Sequence, residues 1–279
     1  MKENNGAARV DLHVHTNCSD GVFPPDVVVE KAAEHGLKAI AITDHDTVEG
    51  ITPAMDAAEE IGFEIIPGVE ISAVKDETEI HVLGYFIDWH DSTLLKKLKH
   101  LRENRLGRMK EMVRLLAKQG VDVDPAEIEK KVSKGSAGRL HLARVLAEQG
   151  ITRDVKEAFD VYIGDGKPCC VRHERLDYTD AIKLINRIGG VAVLAHPGTM
   201  GKDEYIPDYV KAGLKGIEVL YVKHRPQAKS KYLKLAKEYN LIVTGGSDFH
   251  GLKGERGFLG KVKVGYEVVE ALRTEAGGR

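Results

Sequence analysis

The sequence predicts an α/β barrel that is interrupted by an inserted helical subdomain. Three observations along the 279-residue chain support this fold class. Short apolar segments alternate with amphipathic segments, which is typical of strands and helices that follow one another. Residues 91–167 break this alternation with several helical patterns in succession. Histidines and carboxylates collect at the ends of the apolar segments, and in β/α barrels the loops at these strand ends build the active site.

The first ninety residues are predicted to alternate between strand and helix. The strands cover Arg9–His15, Leu37–Ile42, Phe63–Ile66 and Glu79–Phe86, where apolar residues are dense, as expected of buried strands. The first helix starts at Phe23-Pro24-Pro25-Asp26, runs to about His35 and stops at Gly36. The second helix covers about Ile51 to Ile61.

The next segment, Asp91 to about Lys167, is predicted to be the helical insertion. Ser92–Gln119 has the apolar spacing of one long amphipathic helix. Asp124-Pro125 opens a short helix to about Val132, because an N-cap residue is followed by proline at the first helical position. Further helices are predicted over Leu140–Gln149 and Arg153–Tyr162. The predicted domains are therefore a discontinuous barrel, residues 8–90 and 168–270, and a helical cap, residues 91–167.

Alternation resumes in the last hundred residues. Helices are predicted over Tyr178–Arg187 and Gln227–Tyr239, with a short C-terminal helix at the end of the chain. Strands are predicted over Val191–Ala195, Lys215–Leu220 and Leu241–Thr244, and a last strand near Phe258–Val264. These segments complete the predicted barrel.

Composition narrows the classes of partner. The formal net charge of −2 provides no general electrostatic footprint for long duplex DNA, although a local basic pocket could hold a small nucleotide or a short single strand. Cys18, Cys169 and Cys170 provide no disulfide framework, which favours a reduced, cytoplasmic setting. The sequence shows neither a signal core nor an apolar run of transmembrane length, so no membrane partner is predicted. The oligomeric state is left open.

Residues of the types that bind metals stand at five separate predicted strand ends. The set comprises His13, His15, Asp20, Asp44, His45, Glu70, His196, Asp248 and His250, together with His81 inside a predicted strand. His13 and His15 point to the same side because strand side chains two residues apart share a face. Mixed imidazole and carboxylate ligands without thiolate suit Mn, Zn or Fe(II).

This set is larger than one ion needs, so two or three divalent ions are predicted. Glu70 is the carboxylate expected to bridge two of them. Metal ions a few ångström apart favour in-line displacement at phosphorus, because they stabilise both the attacking and the leaving oxygen. Amide hydrolysis by a binuclear barrel is the competing chemistry.

The strand-end motifs also resemble a known family. His13-Val14-His15, Thr43-Asp44-His45-Asp46, Pro67-Gly68-Val69-Glu70, His81, Ala195-His196-Pro197 and Ser247-Asp248-Phe249-His250 are similar, in order and spacing, to the motifs of the PHP (polymerase and histidinol phosphatase) superfamily of metal-dependent phosphoesterases. The resemblance implies a distorted (β/α)7 barrel with a trinuclear site. It implies three ligand groups: His13, His15, Glu70 and Asp248; Glu70, His81 and His196; Asp20, His45 and His250. Asp20 stands where some branches of the superfamily carry histidine.

The inserted helices extend the resemblance to one branch. An insert containing Ser136-Ala137-Gly138-Arg139-Leu140-His141, followed by Gly166-Lys167-Pro168, is similar to the stand-alone branch that includes 3′,5′-nucleotide bisphosphate phosphatases and a 5′-to-3′ exoribonuclease. The resemblance implies a phosphoesterase that hydrolyses phosphomonoesters of small nucleotides or trims short 5′-phosphorylated RNA. A metal-dependent amidohydrolase and a non-catalytic PHP structural module are the alternatives.

Several residues are predicted to act on the substrate. Arg139 and Lys167 are candidates for holding a second phosphate, since both side chains are cationic. His141 is a candidate substrate contact or, alternatively, a local helix cap, and His224 is a candidate substrate contact at a strand end. His196 and Asp248 are predicted to be catalytic as well as metal-binding, with His196 or water as the acid for the leaving group.

Overall fold

The strands of this protein curl into a nearly closed barrel. The computed structural model describes residues 9–124, 126–128, 136–171, 175–252 and 259–278. The strands are β1 Arg9–Val14, β2 Leu37–Ile42, β3 Glu64–Lys75, β4 Thr78–Tyr85, β5 Leu176–Asp177, β6 Val191–Leu194, β7 Gly216–Tyr221, β8 Ile242–Gly246 and β9 Val264–Gly265. Around the barrel the order is β1, β2, β3, β4, β6, β7, β8, while β5 pairs with β3 and β9 with β1. A bridge between Val14 and Phe249 brings the end of β8 back to β1.

Helices cover the outside of the barrel and form the insertion between β4 and β5. They are α1 Pro25–Glu34, α2 Ile51–Ile61, α3 Ser92–Lys118, α4 Arg139–Glu148, α5 Val155–Ala158, α6 Tyr178–Arg187, α7 Ile206–Ala212, α8 Pro226–Glu238 and α9 Glu267–Glu275. A π-helical turn, Phe159–Ile163, continues α5. The predicted α/β barrel with inserted helices is therefore confirmed. In the described part of the chain, no helix is both long and apolar enough to cross a membrane.

The helices differ from the prediction in two places, and a third predicted helix lies partly outside the described residues. The single helix predicted over Arg153–Tyr162 is a four-residue helix followed by the π-helical turn. Helix α7 was not predicted, because seven residues are too few to show helical periodicity. Residues 126–128 of the short helix predicted from Asp124 to Val132 are helical, and Pro125 with residues 129–132 lies outside the described residues.

Strand β3 is longer than predicted because it changes partner along its length. The prediction ended it at Ile66, but residues 64–67 pair with parallel β2, and residues 68–75 pair with antiparallel β4. The exchange occurs at Pro67, which has no N–H to donate to a ladder. Asp76 and Glu77 then form the hairpin turn with φ angles of 45° and 66°, as a two-residue type I′ turn requires.

Strand β4 runs against the rest of the barrel. It is antiparallel to both β3 and β6, whereas the other neighbouring barrel strands are parallel. Its first residues therefore lie at the end of the barrel where the parallel strands finish, and His81 is the fourth residue of this strand. The reversal explains how a histidine inside a strand joins histidines that follow strands.

The last strand is much shorter than predicted. Only Val264–Gly265 forms a strand, antiparallel to Arg9 and Val10. Residues 259–263 are turn and coil, and Phe258 lies outside the described residues. The apolar side chains Leu259 and Val262 are nevertheless buried, so their hydrophobicity reflects packing rather than strand pairing.

Apolar residues form three packed clusters. One fills the barrel interior, one lies between the strands and the outer helices, and the third forms inside the insertion from α3, α4 and the turn after α5. Met112, Leu116, Leu142 and Leu146 are among the fully buried members of the third cluster. The insertion therefore has an apolar core of its own.

Backbone irregularities in β1, where β8 closes the barrel against it, set the direction of the site side chains. Between Asp11 and Val14 the register of β1 against β2 shifts by one residue. The hydroxyl of buried Tyr85 donates to the Leu12 carbonyl at this irregularity, at 2.9 Å. On the other side of β1, a Cβ atom on Gly246 would lie 2.3 Å from Cβ of His13, so only glycine lets β8 approach this closely.

Candidate metal centre

The predicted strand-end ligands meet at one end of the barrel. Their ligand atoms form four overlapping groups, each within 4.8 Å: His15, Asp20, His45 and His250; His13, His15 and Asp248; His13, Glu70 and His196; His45, Glu70 and His81. These groups contain every residue that the resemblance assigned to the metals. The structure divides them differently in part, because His15 also joins the Asp20 group and His45 also joins Glu70.

Glu70 lies at the middle of the cluster and is fully buried. Its Oε2 atom is 3.3 Å from Nε2 of His13, 3.3 Å from Nε2 of His15 and 3.0 Å from Nδ1 of His45. Its Oε1 atom is 2.9 Å from Nδ1 of His81 and 3.0 Å from Nε2 of His196. One carboxylate thus presents each of its oxygens to a different set of imidazoles, which is the arrangement of a bridging ligand.

The group of His13, His15 and Asp248 joins β1 to the end of β8, which is far from it in the sequence. Oδ1 of Asp248 lies 3.5 Å from Nε2 of His13 and 3.2 Å from Nε2 of His15. Both histidines are fully buried. Asp248 has a φ of 55°, a left-handed conformation that aspartate tolerates better than most residues.

Asp20 contacts His250 and His15 on one side and helix α4 on the other. Its Oδ1 atom lies 3.2 Å from Nε2 of His250 and 3.9 Å from Nδ1 of His15. The His15 and His250 rings stack with centroids 4.3 Å apart. Arg144 of α4 donates to the backbone carbonyl of Asp20 at 2.6 Å, which ties this loop to the insertion.

Several buried polar atoms of the cluster have no hydrogen bond, which indicates the kind of ligand that the cluster can bind. Among the described residues they include Nε2 of His13, both ring nitrogens of His15, Oδ1 of Asp20, Nδ1 of His45 and Oε2 of Glu70. A buried polar group without a partner is costly, so such atoms are rare in folded proteins. Imidazole nitrogens and carboxylate oxygens that converge in this way fit divalent metal ions, which they bind directly.

Charge within the cluster keeps the carboxylates ionised. Burial raises the pKa of Glu70, but the neighbouring His45, His13 and His81 outweigh it and hold that pKa well below its usual range. Burial likewise raises the pKa of Asp20, and His250 and His45 reverse the effect, so its pKa is also well below normal. Ionised carboxylates are the form that binds metals.

Asp44 has a different role from the other members of the predicted set. It accepts hydrogen bonds from the backbone N–H and the hydroxyl of Thr16, both at 2.7 Å, and from the hydroxyl of Ser19. These bonds hold the loop that carries Asp20. Asp44, which belongs to none of the three ligand groups that the resemblance implies, thus supports this loop, because its oxygens are occupied by these hydrogen bonds.

Three residues that contact the cluster were not predicted as site residues. Glu218 lies 3.0 Å from His13, Tyr221 donates to Asp248, and Glu79 lies 3.4 Å from Nε2 of His81. A charged residue between the apolar Ile217 and Val219 of a buried strand was the available signal for Glu218.

A cleft of about 940 Å³ leads from the cluster to the insertion. At the cluster end it is lined by Asp20, His45, His81, Asp248 and His250. Arg105 of α3, Arg139 and Arg144 of α4 and Lys223 after β7 add positive charge. Leu140, Val155 and Phe159 form an apolar part of the wall within the insertion.

The four predicted substrate residues lie in different environments. Arg139 lines the cleft and pairs with Asp165 at 2.7 Å and with Glu79 at 3.4 Å. Lys167 is exposed in a turn and is not among the residues that line this cleft. Of the two cations that were predicted to act together, Arg139 therefore lines this cleft, whereas Lys167 does not.

The two predicted substrate histidines have structural partners. His141 is buried and its Nδ1 accepts the Gly138 N–H at 3.0 Å, which makes it the helix cap that was the alternative interpretation. Burial lowers the pKa of His141 to about 4, so this ring is neutral at pH 7. His224 donates from Nδ1 to the Val219 carbonyl and accepts the Gly198 N–H at Nε2, so both of its nitrogens are used in holding the loop after His196.

Known proteins resemble this chain over most of its length. A family model described as PHP domain matches residues 11–163. A 3′,5′-nucleoside bisphosphate phosphatase of Chromobacterium violaceum is 34% identical over 90% of this chain and 90% of its own. A 5′-3′ exoribonuclease of Haemophilus influenzae is 35% identical over 87% of this chain and 90% of its own.

Two further relatives extend the comparison. A phosphoribosyl 1,2-cyclic phosphate 1,2-diphosphodiesterase of Eggerthella lenta is 32% identical over 88% of this chain and 95% of its own. A solved structure from Bifidobacterium adolescentis, described as a metal-dependent phosphoesterase, superposes with a TM-score of 0.91 at 30% identity and covers 96% of both chains. These relatives share phosphoester chemistry and differ in the substrates their names give.

Proposed function

The chain belongs to the PHP domain family and is a metal-dependent phosphoesterase, and on this premise we propose which substrates it hydrolyses and which residues act on them. The substrate class is a small nucleotide that carries a second phosphate, such as a nucleoside 3′,5′-bisphosphate, from which one phosphomonoester is removed. Support comes from the name of the Chromobacterium violaceum relative and from the arginine and lysine side chains that line the cleft, among carboxylates, beside the cluster.

The observation that carries the metal assignment is the position of Glu70 between two sets of imidazoles. We assign two or three ions, of Mn, Zn or Fe, to the ligands His13, His15, Asp20, His45, Glu70, His81, His196, Asp248 and His250. When bound, the ions supply a water of lowered pKa and stabilise charge on the phosphoryl oxygens. The orphaned buried atoms of this set support the assignment.

Asp248 and His196 are the proposed catalytic residues. Asp248 lines the cleft, and His196 lines a chamber of about 220 Å³ that shares Glu79, His81 and Arg139 with the cleft lining. In these positions both would contact a phosphoryl group held at the cluster. Thr199 lies 3.0 Å from Nδ1 of His196 and orients the ring, so that Nε2 faces the centre.

Arg139 is the proposed contact for the second phosphate. It lines both the cleft and the side chamber, and Glu79 connects it to His81. Its side chain is 20% exposed, so it can still bind an anion while Asp165 and Glu79 hold it in place. A planar guanidinium suits bidentate recognition of phosphate. Lys167, His141 and His224 are not part of this proposal, given the contacts described above.

Trimming of short 5′-phosphorylated RNA is a second candidate function. The cleft volume of about 940 Å³ is at the upper end of the range for small-molecule pockets, which leaves room for more than one nucleotide. The name of the Haemophilus influenzae relative supports the same reading. The alternative of amide hydrolysis has support from one title, that of a solved Chromobacterium violaceum structure described as an amidohydrolase, which superposes with a TM-score of 0.86 at 31% identity and covers 96% of this chain and 97% of its own. The names of the curated relatives reported above give phosphoester substrates instead.

A substrate screen on metal-defined protein tests these proposals. The protein is stripped with a chelator, its metal content is measured, and Mn²⁺, Zn²⁺ or Fe²⁺ is added back. Phosphate release is followed from adenosine 3′,5′-bisphosphate and an aryl phosphate, and nucleotide release from a short 5′-phosphorylated RNA. We expect the bisphosphate to have the highest kcat/KM. Preference for RNA would favour the second candidate, and metal-independent turnover would contradict the metal assignment.

A further inference from the structure

Strand β7 carries none of the proposed metal ligands, yet two of its buried side chains contact three residues that are proposed ligands. Glu218 is fully buried; its Oε1 lies 3.0 Å from Nδ1 of His13, and its Oε2 accepts the backbone N–H of His196 at 2.8 Å. Tyr221 is 1% exposed and donates its hydroxyl to Oδ2 of Asp248 at 2.8 Å. One strand thus reaches ligands on β1, after β6 and after β8.

A shift in strand register brings both side chains to the same side. Glu218 pairs with Thr244 of β8, but Leu220 pairs with the very next residue, Gly245. Residues three apart on a regular strand point to opposite faces. The extra residue in β7 removes this opposition, as β-bulges beside active sites commonly do. At this point a Cβ atom on Gly245 would lie 2.4 Å from Cβ of Leu220, so the strands are unusually close here.

We infer that Glu218 and Tyr221 are positioning residues that orient the ligands of the proposed metal centre. Neutral imidazole carries one N–H. Glu218 accepts this N–H from Nδ1 of His13, which leaves the lone pair of Nε2 directed at Glu70 and Asp248. Tyr221 occupies one oxygen of Asp248, so the other faces His13 and His15. The inference rests on the proposed function, because it requires that these side chains bind metal.

Glu218 also supports the backbone at His196. His196 has a φ of 26° and a ψ of 58°, a conformation that residues other than glycine rarely adopt. The bond from its N–H to buried Glu218 helps to hold this conformation, and it places the His196 ring beside Oε1 of Glu70. Both Glu218 oxygens therefore act as acceptors, one for each of two proposed ligands.

Glutamine cannot replace both functions of Glu218. An amide has one acceptor oxygen and one NH2 group. If the NH2 group faces His13, it forces the ring proton onto Nε2, where it blocks the ligand lone pair. If the NH2 group faces His196, two N–H donors meet. Either orientation disturbs the centre without a change in side-chain size.

Calorimetric titration of the metal-stripped full chain with Mn²⁺ tests the inference. We expect Glu218→Gln to lower Mn²⁺ affinity by about 10- to 100-fold, as loss of a group that orients a ligand does. Glu64→Gln is the matched control, because Glu64 pairs with Tyr266 and Arg273 at the other end of the barrel. Wild-type affinity in Glu218→Gln would overturn the inference. Failure of the wild-type protein to bind Mn²⁺ would instead overturn the proposed metal centre.

Tyr221→Phe keeps the test decisive if Glu218→Gln does not fold. The substitution removes only the hydroxyl, and we expect Mn²⁺ affinity to fall by about threefold to tenfold, the loss for one hydrogen bond. The thermal midpoint of the stripped protein should stay within the range of wild type and the Glu64→Gln control. A lower midpoint with unchanged affinity would show that Tyr221 is structural and would overturn its assignment.

A different observation, the apolar wall of the cleft, supports a second inference. Phe159 packs partly against the core of the insertion and lines the cleft beside Leu140 and Val155. The guanidinium carbon of Arg139 lies 5.9 Å from the centre of its ring. Through Arg139 and Glu79, a short series of contacts leads from this ring to His81.

We propose that Phe159 is the platform on which the nucleobase of the substrate stacks. Its ring is held on one side by the insertion core, so a base would meet a rigid surface. With one phosphate at the cluster and the second at Arg139, the base would extend toward this apolar wall. This proposal also rests on the proposed function, and it makes the insertion the part of the chain that recognises the nucleoside.

Paired substrates test the stacking proposal. Phe159→Leu keeps apolar volume but removes the ring, and Val161→Ala, at a 45% exposed position in the same π-helical turn, is the control. We expect Phe159→Leu to lower kcat/KM on adenosine 3′,5′-bisphosphate by about fivefold or more, because base stacking on an aromatic ring is worth about 1–3 kcal/mol. The loss on a deoxyribose 3,5-bisphosphate without a base should be under about twofold, and Phe159→Trp should retain the preference for the base.

The two substrates separate the possible failures. Equal losses on both substrates would overturn the stacking proposal and leave the phosphoesterase assignment intact. Absence of phosphate release from either substrate with wild-type protein would overturn the proposed substrate class. If Phe159→Leu fails to fold, Phe159→Trp and Phe159→Tyr provide the test, because both variants keep an aromatic ring. Retention of the base preference in Phe159→Trp would support the stacking proposal. Loss of the base preference in Phe159→Tyr would overturn it.

Discussion

The end of the barrel and the helical insertion face the same cleft, but they are built on different principles. At the barrel end, nine side chains from several strands form four overlapping groups of close ligand atoms, and four of the nine are buried while the other five are partly buried. In the insertion, Arg139 reaches the cleft, while Lys167 is exposed elsewhere and His141 caps a helix. Strand pairing dictates where strand ends lie, whereas helix packing leaves the direction of each side chain open.

Ionic contacts connect the regions, and those of Arg105 and Glu79 lie next to the cluster. Arg105 of α3 donates to Asp46 and Ser72 beside the cluster, both at 2.5 Å, and to the Ala137 carbonyl before α4. Glu79 lies between His81 on one side and Arg139 and Arg175 on the other. The insertion is therefore attached to the ligand-bearing loops themselves. We expect substitutions at the barrel end to affect all substrates and substitutions in the insertion to affect particular substrates.

The largest effect is expected at the barrel end, from Glu70→Gln. The substitution removes the charge that both sets of imidazoles share, so we expect kcat/KM to fall on the order of a thousandfold for every phosphoester, together with metal content. Phosphate release and elemental analysis provide the measurement, with Glu64→Gln as control. Wild-type turnover and metal content would show that Glu70 does not bridge the ions.

The connection between the regions should be visible in stability. Arg105→Met leaves the buried Asp46 carboxylate without its cationic partner, and breaking such a pair costs about 3–5 kcal/mol. Urea denaturation of the full chain measures the free energy of unfolding. Arg153→Ala, which removes an exposed pair with Glu157, is the control and should leave the transition midpoint unchanged. Equal behaviour of the two variants would contradict a buried attachment at Arg105.

A smaller, substrate-selective effect is expected within the insertion. Arg139→Ala should lower kcat/KM on adenosine 3′,5′-bisphosphate about 10- to 100-fold, the value of a charge-assisted contact, and affect an aryl phosphate far less. Steady-state kinetics on both substrates measure the ratio. Equal losses would mean that Arg139 supports the fold or the metals instead of the second phosphate.

The smallest effect is expected for Lys167→Ala. This side chain is exposed and is absent from the cleft lining, so kcat/KM on the bisphosphate should change by less than about twofold. The assay is the one used for Arg139→Ala, which serves as the contrasting variant. A loss as large as that of Arg139→Ala would restore Lys167 to the substrate site and remove the distinction between the two residues.

The strand-end chemistry was predictable because its signals are local and periodic. His13 and His15 are two residues apart on a strand, and His45, Glu70, His196 and Asp248 all follow apolar segments that read as strands. The carboxyl ends of parallel strands lie at one edge of a sheet, so the residue types alone indicated a shared site. The reversed strand β4 was not predicted, because a single histidine in an apolar segment does not reveal strand direction.

The sequence by itself determined the alternation of strands and helices, the place of the helices inserted between β4 and β5, and the choice of residues for the proposed ligand set, since each depends on composition and spacing along the chain. Only the tertiary structure decided which residues assist that set. Glu218 and Tyr221 reach the proposed ligands through a register shift between β7 and β8, and Arg139 lines the cleft whereas Lys167 does not. These outcomes depend on contacts between residues far apart in the chain, which local patterns do not encode.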